Sequence, residues 1–431
     1  MSSDAGAVRA AFRAILSENM TDHHEGNART RVPCCIAGGG PAGMMLGLLL
    51  ARAGVDVIVL EKHADFLRDF RGDTIHPSTL EVMHELGLLV ELLRLPHQKV
   101  YEVGGQIEDF PLTLADFRHL PAHAPFIAFM PQWDFLDFLA REAGRYPTFH
   151  LMMRTEATEL VEESGRVTGV RVTTPEGPIT IQADLVVGAD GRSSVIREKA
   201  ELPVEDFGAP MDVLWFRLSR NAGDPQQALG RIFAGRIFIM LNRGDYWQCG
   251  YVIAKGQADR VRAAGLDAFR AGIARLVPHM KDRVNEISTW DDVKLLTVQV
   301  NRLTRWYRPG LLCIGDAAHA MSPVAGVGIN LAIQDAVAAA NILAVPLREG
   351  RVTLDDLQRV QKRRQWPTRV TQRIQLAIQN RVIRSVLSAT APVKPPLVAR
   401  LLGRFPRLRR IPGRLIGLGV RPEHVHTPIA G

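Results

Sequence analysis

A glycine-rich turn near the beginning of the chain has the spacing that holds the pyrophosphate of a dinucleotide. Residues 38–43 read GGGPAG, which matches the pattern G-x-G-x-x-G. In this pattern Gly38 permits a tight turn, Gly40 lets the backbone approach the pyrophosphate, and Gly43 lets a helix pack closely on the preceding strand. The helix that begins here directs unpaired N–H groups and the positive end of its dipole towards the anion. The turn therefore predicts dinucleotide binding.

The elements on both sides of this turn agree with that chemistry. An apolar run over 31–37 predicts a first strand, a helical run follows over 44–53, and the sequence VDVIVL over 55–60 predicts a second strand. Glu61 closes the second strand, eighteen residues after Gly43. A carboxylate at that position of a β-α-β unit accepts hydrogen bonds from ribose hydroxyls. It also repels a ribose that carries a 2′-phosphate.

Two further strand-like runs lead into segments that combine aspartate with glycine. The first run ends at Gly188 and continues as ADGRSS, and the second continues as GDAAHAMSPVAGVG over 315–328. Asp316 is placed to accept a hydrogen bond from a ribityl or sugar hydroxyl, and Gly326 and Gly328 leave space for a flat ring against the backbone. The helix that follows directs its positive end at that ring, which favours an anionic reduced flavin.

Together, these three segments resemble those of the single-component, FAD-dependent aromatic hydroxylases, the group typified by p-hydroxybenzoate hydroxylase. The segments match that family in order and in spacing. The resemblance implies that residues 38–43 hold the FAD pyrophosphate and that residues 190–197 serve both FAD and the nicotinamide donor. It further implies that residues 315–330 form a second FAD motif.

Single residues extend the resemblance. Arg71 falls where the family has an arginine over the FAD phosphates, and Gln132 falls where a glutamine meets the ribityl chain. The FAD-binding positions that the motifs and the resemblance imply are Gly38, Gly40, Pro41, Ala42, Gly43, Glu61, Lys62, Arg71, Gln132, Asp190, Gly191, Arg197, Gly315, Asp316, Pro323, Gly326, Gly328 and Asn330.

The resemblance implies a monooxygenase cycle. NADPH or NADH reduces FAD, the reduced flavin and O₂ form a C4a-hydroperoxide, and the distal oxygen is transferred to an electron-rich carbon of an aromatic or related small molecule. The cofactor supplies this chemistry, and the protein supplies position and a dry site. No second G-x-G-x-x-G opens a β-α-β unit, in agreement with a family that binds the nicotinamide without a second Rossmann domain.

The elements predict an α/β protein with a Rossmann-like FAD-binding domain of the p-hydroxybenzoate hydroxylase type. An inserted mixed β-sheet domain for the substrate and a helical, basic C-terminal extension complete the predicted fold. The predicted divisions are a polar N-terminal extension over 1–30, a discontinuous FAD-binding domain over 31–105, 130–205 and 285–345, a substrate-binding domain over 106–129 and 206–284, and the C-terminal region over 346–431.

Short apolar or alternating runs between residues 206 and 255 predict the sheet that covers the substrate. Phenol hydroxylation often needs a base, and His76, Tyr246 and Tyr251 are the catalytic candidates, with Asp73 as a further one. Packing beside a helix is the alternative role of His76, and ordinary core packing is the alternative for the aromatic residues. The aromatic side chains expected to line an apolar pocket are Trp215, Phe216, Phe233, Phe238, Tyr246, Trp247 and Tyr251.

The positive charge of the chain is concentrated in one segment. Residues 357–422 hold sixteen Lys or Arg and no Asp or Glu, whereas the whole chain has a net charge of +8. Three roles are open: a helix with a solvated basic face, peripheral contact with an anionic membrane surface, or binding of another anion or acidic partner. The segment lacks a reader motif for nucleic acid, so we expect no nucleic-acid partner.

Composition and cysteine content set the remaining expectations. A chain with 46% hydrophobic and 23% charged residues is not a disordered, collagen-like or disulfide-dense protein. The longest apolar window, over 324–347, carries polar side chains and predicts a buried helix rather than a membrane span. The four cysteines lie in apolar runs, which predicts buried reduced thiols, no metal site and a cytoplasmic location. We expect a monomer or a homodimer.

Three functions remain open at this point. The first is an NAD(P)H-dependent monooxygenase that hydroxylates an aromatic small molecule. The second is an FAD-dependent epoxidase or reductase that acts on a lipophilic isoprenoid or quinone at a membrane surface, which the basic segment supports if it touches lipid. The third is a flavin-binding protein without turnover. Oxygen consumption with NAD(P)H distinguishes the third from the others.

Overall fold

The computed structural model describes residues 30–67, 74–225 and 229–430. Its helices are α1 (Pro41–Arg52), α2 (Pro77–Glu85), α3 (Leu89–Leu92), α4 (Gln132–Ala143), α5 (Val195–Lys199), α6 (Ala258–Ala263), α7 (Leu266–Leu276), α8 (Gly328–Arg348), α9 (Leu354–Ile378), α10 (Arg384–Ser388), α11 (Leu397–Arg404) and α12 (Arg410–Gly417). Its strands are β1 (Thr30–Ala37), β2 (Val57–Glu61), β3 (Thr74–Ile75), β4 (Gln98–Val100), β5 (Glu102–Ile107), β6 (Phe110–Asp116), β7 (Ile127–Phe129), β8 (Phe149–Met153), β9 (Glu156–Glu163), β10 (Arg166–Thr174), β11 (Gly177–Gly188), β12 (Val204–Asp206), β13 (Met211–Ser219), β14 (Leu229–Phe233), β15 (Arg236–Asn242), β16 (Tyr246–Ala254), β17 (Lys294–Leu296), β18 (Asn301–Leu303), β19 (Tyr307–Arg308) and β20 (Leu311–Cys313).

The predicted Rossmann-like sheet is present. It has the order β19-β20-β11-β1-β2-β8, and β10 and β9 continue from β11. The strands from β20 to β8 in this order run parallel to one another. All five residues of β2 are buried, because a parallel sheet is covered on both faces. The carboxyl ends of these strands meet at one edge, which is where ligands bind in open α/β sheets.

A second sheet has seven strands in the order β17-β13-β16-β15-β14-β5-β6. Alternate residues of β13 face opposite sides, as expected for a strand. Phe216 packs in the cluster that α7 covers with Phe269, and we call this side the outer face. Val213 and Trp215 pack on the other side, in the cluster that includes Val324 from the third glycine-rich segment, and we call this side the inner face.

Two strands of the second sheet lie in ranges that the sequence prediction gave to the FAD-binding domain. β5 begins at Glu102, within 31–105, and β17 lies within 285–345. β5 pairs with β6 and β14, and β17 pairs with β13, so backbone hydrogen bonds fix both strands in the second sheet. The KLL run of β17 is too short to show a period, which explains why the prediction missed it.

The C-terminal region is helical, as predicted. α9 continues through a π-helical turn over 379–383 into α10, and α11 and α12 then pack on β6, the edge strand of the second sheet. Residues beyond α12 return to α1, where the Ala430 N–H donates to the Arg52 carbonyl at 3.0 Å, and α9 packs against β19 of the first sheet. This region therefore contacts both sheets.

The long apolar window forms the predicted buried helix. Of the described residues, only Val324–Arg348 forms a helix long and apolar enough to cross a membrane by those two measures. Most of it is covered by the rest of the fold, because α8 packs against α1 and α9.

Candidate functional site

The first glycine turn has the geometry of an anion cradle. Gly38 has a φ of +112°, and a Cβ there would lie 2.4 Å from the Ala189 carbonyl oxygen. A Cβ on Gly43 would lie 1.9 Å from the Gly38 carbonyl oxygen, so only glycine fits at either position. Open space adjoins Gly40, and α1 begins at Pro41 without a side-chain cap. The N–H groups of its first turn are therefore available to a pyrophosphate.

Glu61 lies beside this turn, as predicted for a ribose contact. A Cβ on Gly39 would lie 2.8 Å from the Glu61 Cβ, and Glu61 is buried. Its Oε1 accepts a hydrogen bond from the His63 N–H at 3.0 Å. Lys62 instead extends into solvent, with its Nζ 3.6 Å from Glu156 Oε1. The structure thus places Glu61 at the cradle and Lys62 on the surface next to it.

The Asp190-Gly191 segment forms a tight loop at the end of β11. Asp190 accepts hydrogen bonds from the Ser194 Oγ at 2.5 Å and from the Ile196 N–H at 3.1 Å. Burial raises the pKa of Asp190, and these hydrogen bonds offset part of that rise. Gly191 has a φ of +87°, which glycine adopts without strain. Asp190 therefore holds the beginning of α5 in place.

Two arginines join this loop to the Gly315-Asp316 segment. Arg192 Nε donates to Asp316 Oδ2 at 3.1 Å, and Arg197 Nη1 donates to the Ala317 carbonyl at 3.2 Å. The loops meet because β11 and β20 are neighbours in the first sheet. Asp316 remains partly exposed, so its carboxylate can still accept a hydrogen bond from a hydroxyl of a bound cofactor.

The third glycine-rich segment also reaches the first turn of α1. Gly315 has a φ of +60°, and a Cβ there would lie 3.2 Å from the Ala42 Cβ. Gly326 has a φ of +62°, and a Cβ there would lie 2.6 Å from the Thr74 Oγ1. The same hydroxyl donates to the Gly326 carbonyl at 3.1 Å. The first and third motifs and the segment after Arg71 therefore converge, as predicted.

Asn330 links the segment after Arg71 to α8. Its Oδ1 accepts hydrogen bonds from the His76 N–H at 2.9 Å and from the Thr79 Oγ1 at 2.8 Å. Pro323 precedes a 3₁₀ turn, and Gly328 begins α8 with open space next to it. Asn330 was predicted to bind FAD; in the structure its oxygen binds other parts of the chain.

Of the remaining predicted residues, the structure describes Gln132 but not Arg71 or Asp73. Gln132 is the first residue of α4, which follows β7, and β7 pairs with the strand that contains Thr74. β7 therefore connects Gln132 to the segment after Arg71, which contacts the third motif through Thr74. Arg71 and Asp73 lie outside the described residues.

A buried network of charged side chains holds the backbone of Gly315 in place. Asp335 Oδ2 accepts from the Gly315 N–H at 3.1 Å and lies 2.5 Å from the His319 Nε2, while Oδ1 accepts from Arg364 Nε at 2.9 Å. Arg364 Nη1 also donates to Glu423 Oε1 at 3.1 Å. Burial alone would raise the pKa of Asp335, but His319 and Arg364 lower it below its ordinary value. The sequence analysis did not identify Arg364 or Glu423, because no local pattern marks them.

His76 is fully buried and lies next to α12. Its Nδ1 donates to the Ile416 carbonyl at 2.8 Å, so Nε2 carries the lone pair of the neutral ring. Within the described part of the chain, Nε2 has no hydrogen-bond partner. Burial lowers the pKa of His76 to about 4, although the bond to Ile416 raises it in part. At neutral pH the ring is therefore an uncharged and weak base.

The two candidate tyrosines lie on opposite faces of the second sheet. The Tyr251 ring packs edge-on against Phe238 and Phe269 on the outer face, at centroid distances of 6.5 and 5.5 Å. Burial raises the pKa of Tyr251. The Tyr246 ring lies on the inner face, with the Arg217 guanidinium 4.8 Å from its centroid. The structure brings Tyr246 to the face that meets the third motif and leaves Tyr251 on the face away from it.

The aromatic residues that were expected to line the pocket are likewise divided between the inner and outer faces of the second sheet. Trp215 packs with the inner-face cluster. Most of the others pack in the outer-face core, because alternation along a strand does not reveal which face meets the cofactor. The residues that are corrected to the outer face are Phe216, Phe233, Phe238, Trp247 and Tyr251.

Trp215 is the most distinctive inner-face residue. A Cβ on Gly250 would lie 3.0 Å from its indole ring, so glycine lets the indole lie across the neighbouring strand. The Nε1 of Trp215 is buried and has no acceptor among the described residues. Gln248 follows on the same face, and its Oε1 accepts from Arg243 Nε at 3.0 Å. Gly250 and Gln248 were not predicted as site residues, because neither belongs to a recognisable motif.

These residues fit FAD. The uncapped first turn of α1 offers N–H donors to a pyrophosphate, and side chains at Gly38 and Gly43 would close the cradle. The carboxylates of Glu61 and Asp316 lie at the ends of β2 and β20, where ribose and ribityl hydroxyls need acceptors.

Comparison with known proteins decides the family. The sequence pattern of the FAD-binding-domain family matches residues 31–374. The chain belongs to this family. It is 33% identical over 389 residues to 6-methylpretetramide 4-monooxygenase of Streptomyces rimosus, a match that covers 88% of this chain and 91% of that enzyme. It is 28% identical over 329 residues to the S. rimosus 12-dehydrotetracycline 5-monooxygenase/anhydrotetracycline 6-monooxygenase, covering 71% of this chain and 61% of that enzyme.

Two solved structures share the fold. The OxyS anhydrotetracycline hydroxylase from S. rimosus superposes with a TM-score of 0.69 at 23% identity, covering 91% of this chain and 77% of that one. PqsL, a probable FAD-dependent monooxygenase from Pseudomonas aeruginosa, superposes with a TM-score of 0.70 at 21% identity. The match covers 83% of this chain and 98% of PqsL. The predicted family, fold and cofactors are thus confirmed. The chain is an FAD-dependent monooxygenase that uses NAD(P)H and O₂.

Proposed function

We propose that this enzyme hydroxylates a fused-ring aromatic compound, related to the tetracyclines, that carries phenol or ketone oxygens. The support comes first from relatedness over nearly the whole of one enzyme, whose name gives 6-methylpretetramide as its substrate. A second relative acts, by its name, on anhydrotetracycline.

The inner face of the second sheet carries the proposal. It is apolar around Trp215, where Val213, Ile237 and Val252 are buried and α10 covers part of the face through Val386. The unpartnered Trp215 Nε1–H is a hydrogen-bond donor that costs free energy unless an acceptor reaches it. A phenol or ketone oxygen on an otherwise apolar ring supplies that acceptor once the side chains that cover Nε1 move aside. The arrangement therefore favours a flat aromatic substrate with a few oxygen atoms over a wholly hydrocarbon isoprenoid.

When bound, FAD supplies the electron and oxygen transfer. The N–H groups at the start of α1 bind its pyrophosphate, and Glu61 and Asp316 accept hydrogen bonds from its hydroxyls. The inner face orients the aromatic ring and excludes water, which keeps the reactive intermediates from hydrolysis. His76 stays neutral, because its folded-state pKa is about 4. Its assignment as a catalytic base remains a prediction, as does that of Tyr246.

The decisive experiment combines product analysis with one substitution. Purified FAD-loaded enzyme is mixed with NADPH or NADH and a panel of tetracycline-related aromatics, phenols, quinones and isoprenoids, and O₂ uptake and product mass are recorded. We expect one aromatic compound to stimulate NAD(P)H oxidation and to gain one oxygen atom. A hydrogenated product without O₂ uptake would overturn the proposal in favour of a reductase, and an oxygenated isoprenoid would favour an epoxidase.

The substitution Trp215→Phe tests the substrate contact. Loss of one hydrogen bond of about 1 kcal/mol should raise the KM about fivefold and leave kcat nearly unchanged. Trp290→Phe is the matched control, because Trp290 packs against Phe269 on the outer face. Equal effects of the two substitutions would show that Trp215 makes no contact with the substrate.

Other features of the enzyme are proposals of the same kind. A cytoplasmic location is supported by four buried, unpaired cysteines, which suit a reducing compartment. Preference between NADH and NADPH, the division into domains and the choice between monomer and homodimer remain predictions.

A further inference from the structure

An exposed apolar surface covers the outside of α11, α12 and the turn between them. Leu397 is 71% exposed and Ile411 is 69% exposed, values that are unusual for large apolar side chains of a folded protein. Of the seventeen exposed large hydrophobic residues in the described part of the chain, six fall within fifteen consecutive positions. We call them the C-terminal apolar surface: Leu397, Val398, Leu401, Phe405, Leu408 and Ile411.

The opposite side of the same helices is packed tightly on the body of the protein. Ala399 and Leu402 are buried, and a Cβ on Gly413 would lie 2.2 Å from the Asp116 carbonyl oxygen of β6. Arg409 Nε donates to the Leu402 carbonyl at 2.9 Å, which fixes the turn between the helices. The helices are therefore held by their inner side, so the outer apolar residues contribute little to folding.

Arginines surround the C-terminal apolar surface. None of their side chains has an ion-pair partner among the described residues, and the segment 357–422 contains no acidic residue. A helical surface that mixes leucine, phenylalanine and arginine in this way is typical of helices that lie in the interface of an anionic bilayer. The exposed arginines of this surface are Arg400, Arg404, Arg407, Arg410 and Arg414.

We propose that the C-terminal apolar surface docks this enzyme on an anionic lipid bilayer. The apolar side chains enter the boundary between head groups and acyl chains, and the arginines bind the lipid phosphates. Arginines without acidic partners stand among the exposed apolar side chains, so this surface complements a bilayer that offers acyl chains and anionic phosphates together. The proposal does not depend on which aromatic compound the enzyme hydroxylates.

The docking surface is joined directly to the candidate site. α12 supplies the Ile416 carbonyl that accepts from His76 Nδ1 at 2.8 Å, and a Cβ on Gly417 would lie 3.3 Å from Pro77 Cγ. His76 in turn binds Asn330 through its backbone N–H. The C-terminal apolar surface is therefore linked through α12 and His76 to Asn330, beside the third motif.

Vesicle flotation of the full-length, FAD-loaded enzyme tests the proposal. Vesicles of phosphatidylcholine alone are compared with vesicles in which about a third of the lipid is phosphatidylglycerol, at low and at high salt, because salt screens the attraction. We expect binding to the anionic vesicles at low salt, weaker binding at high salt, and little binding to phosphatidylcholine. Absence of binding to anionic vesicles at low salt overturns the proposal and directs the search to an acidic protein partner.

Two double variants separate the contribution of the arginines to vesicle binding from that of the apolar side chains. Arg404→Gln with Arg407→Gln should weaken vesicle binding about thirtyfold, from the usual contribution of a basic residue near an anionic surface. Leu397→Ser with Val398→Ser should weaken vesicle binding about tenfold, although this variant keeps all the arginines of the surface. Each pair is exposed, so FAD absorbance and thermal unfolding should not change.

Matched substitutions elsewhere complete the test. Arg260→Gln removes an exposed arginine from α6, and Val90→Ser removes a side chain that is 68% exposed in α3. Both variants should bind vesicles as the wild type does. Equal losses in the control variants and in the C-terminal variants would show that binding follows total charge or hydrophobicity, and the assignment to this surface would be wrong.

Discussion

The buried imidazole of His76 should make the stability of this enzyme depend on pH between about 6.5 and 4. Burial lowers the pKa of His76 from the ordinary 6.5 to about 4 in the folded state. The unfolded chain therefore binds a proton as the pH falls through 6.5, whereas the folded protein does not bind it until the pH nears 4. The free energy of unfolding must fall across this window as the pH is lowered.

The magnitude follows from the size of the pKa difference. The full shift corresponds to about 3 kcal/mol, of which about 2 kcal/mol is lost between pH 7 and pH 5. His76→Leu removes this titration. It also removes the hydrogen bond to Ile416, but that loss is the same at both pH values and cancels in the comparison.

The assay is urea unfolding of wild type and His76→Leu at pH 7 and pH 5, each with saturating FAD. We expect the wild type to lose about 2 kcal/mol more than the variant when the pH is lowered. His119→Leu serves as the control, because that imidazole is exposed. If His76→Leu loses as much stability as the wild type, His76 is not the buried neutral group described above, and its weak basicity must be reconsidered.

Three further predictions concern the cradle, the buried charges and the thiols. Gly43→Ala should abolish FAD binding, measured by flavin absorbance after gel filtration, because its Cβ would lie 1.9 Å from the Gly38 carbonyl oxygen; retention of FAD would contradict the cradle. Arg364→Leu should cost about 3–5 kcal/mol in urea unfolding, because Asp335 loses a buried partner, and a cost below about 1 kcal/mol would contradict that pairing. All four cysteines should resist an aromatic disulfide reagent until the protein unfolds, since they are buried and burial raises the pKa of Cys35 to about 12; rapid labelling of the native protein would contradict this.

Local features of the sequence predicted the cofactor site well. The bend at Gly38, the helix that begins at Pro41 and the acid that ends β2 lie within thirty residues of one another in the chain. Glycine types and apolar periods record such short-range geometry directly. The convergence of the three motifs also follows, because the carboxyl ends of parallel strands meet at one edge of a sheet.

The substrate side was less predictable, for a physical reason. Alternation shows that Trp215 and Phe216 face opposite sides, but it does not show which side meets the third motif. We therefore predicted that Trp215 and Phe216 both line the pocket. In the structure, Phe216 and Tyr251 instead pack in the core on the outer face of the second sheet. The partners of His76 and Arg364 lie 340 and 59 residues away in the chain, and no local pattern encodes contacts at that distance.

The order in which the buried charges are synthesised limits when the FAD cradle can mature. Asp335 supports Gly315, Arg364 follows Asp335 by 29 residues, and Glu423 follows Arg364 by another 59. A chain leaves the ribosome in this order, so the Asp335 carboxylate meets His319 early but gains Arg364 and Glu423 only later. Burying it earlier would place the carboxylate in the core without its arginine partner. The first motif to be translated is therefore among the last to reach its native surroundings, and capture of FAD is a late event in the synthesis of this enzyme.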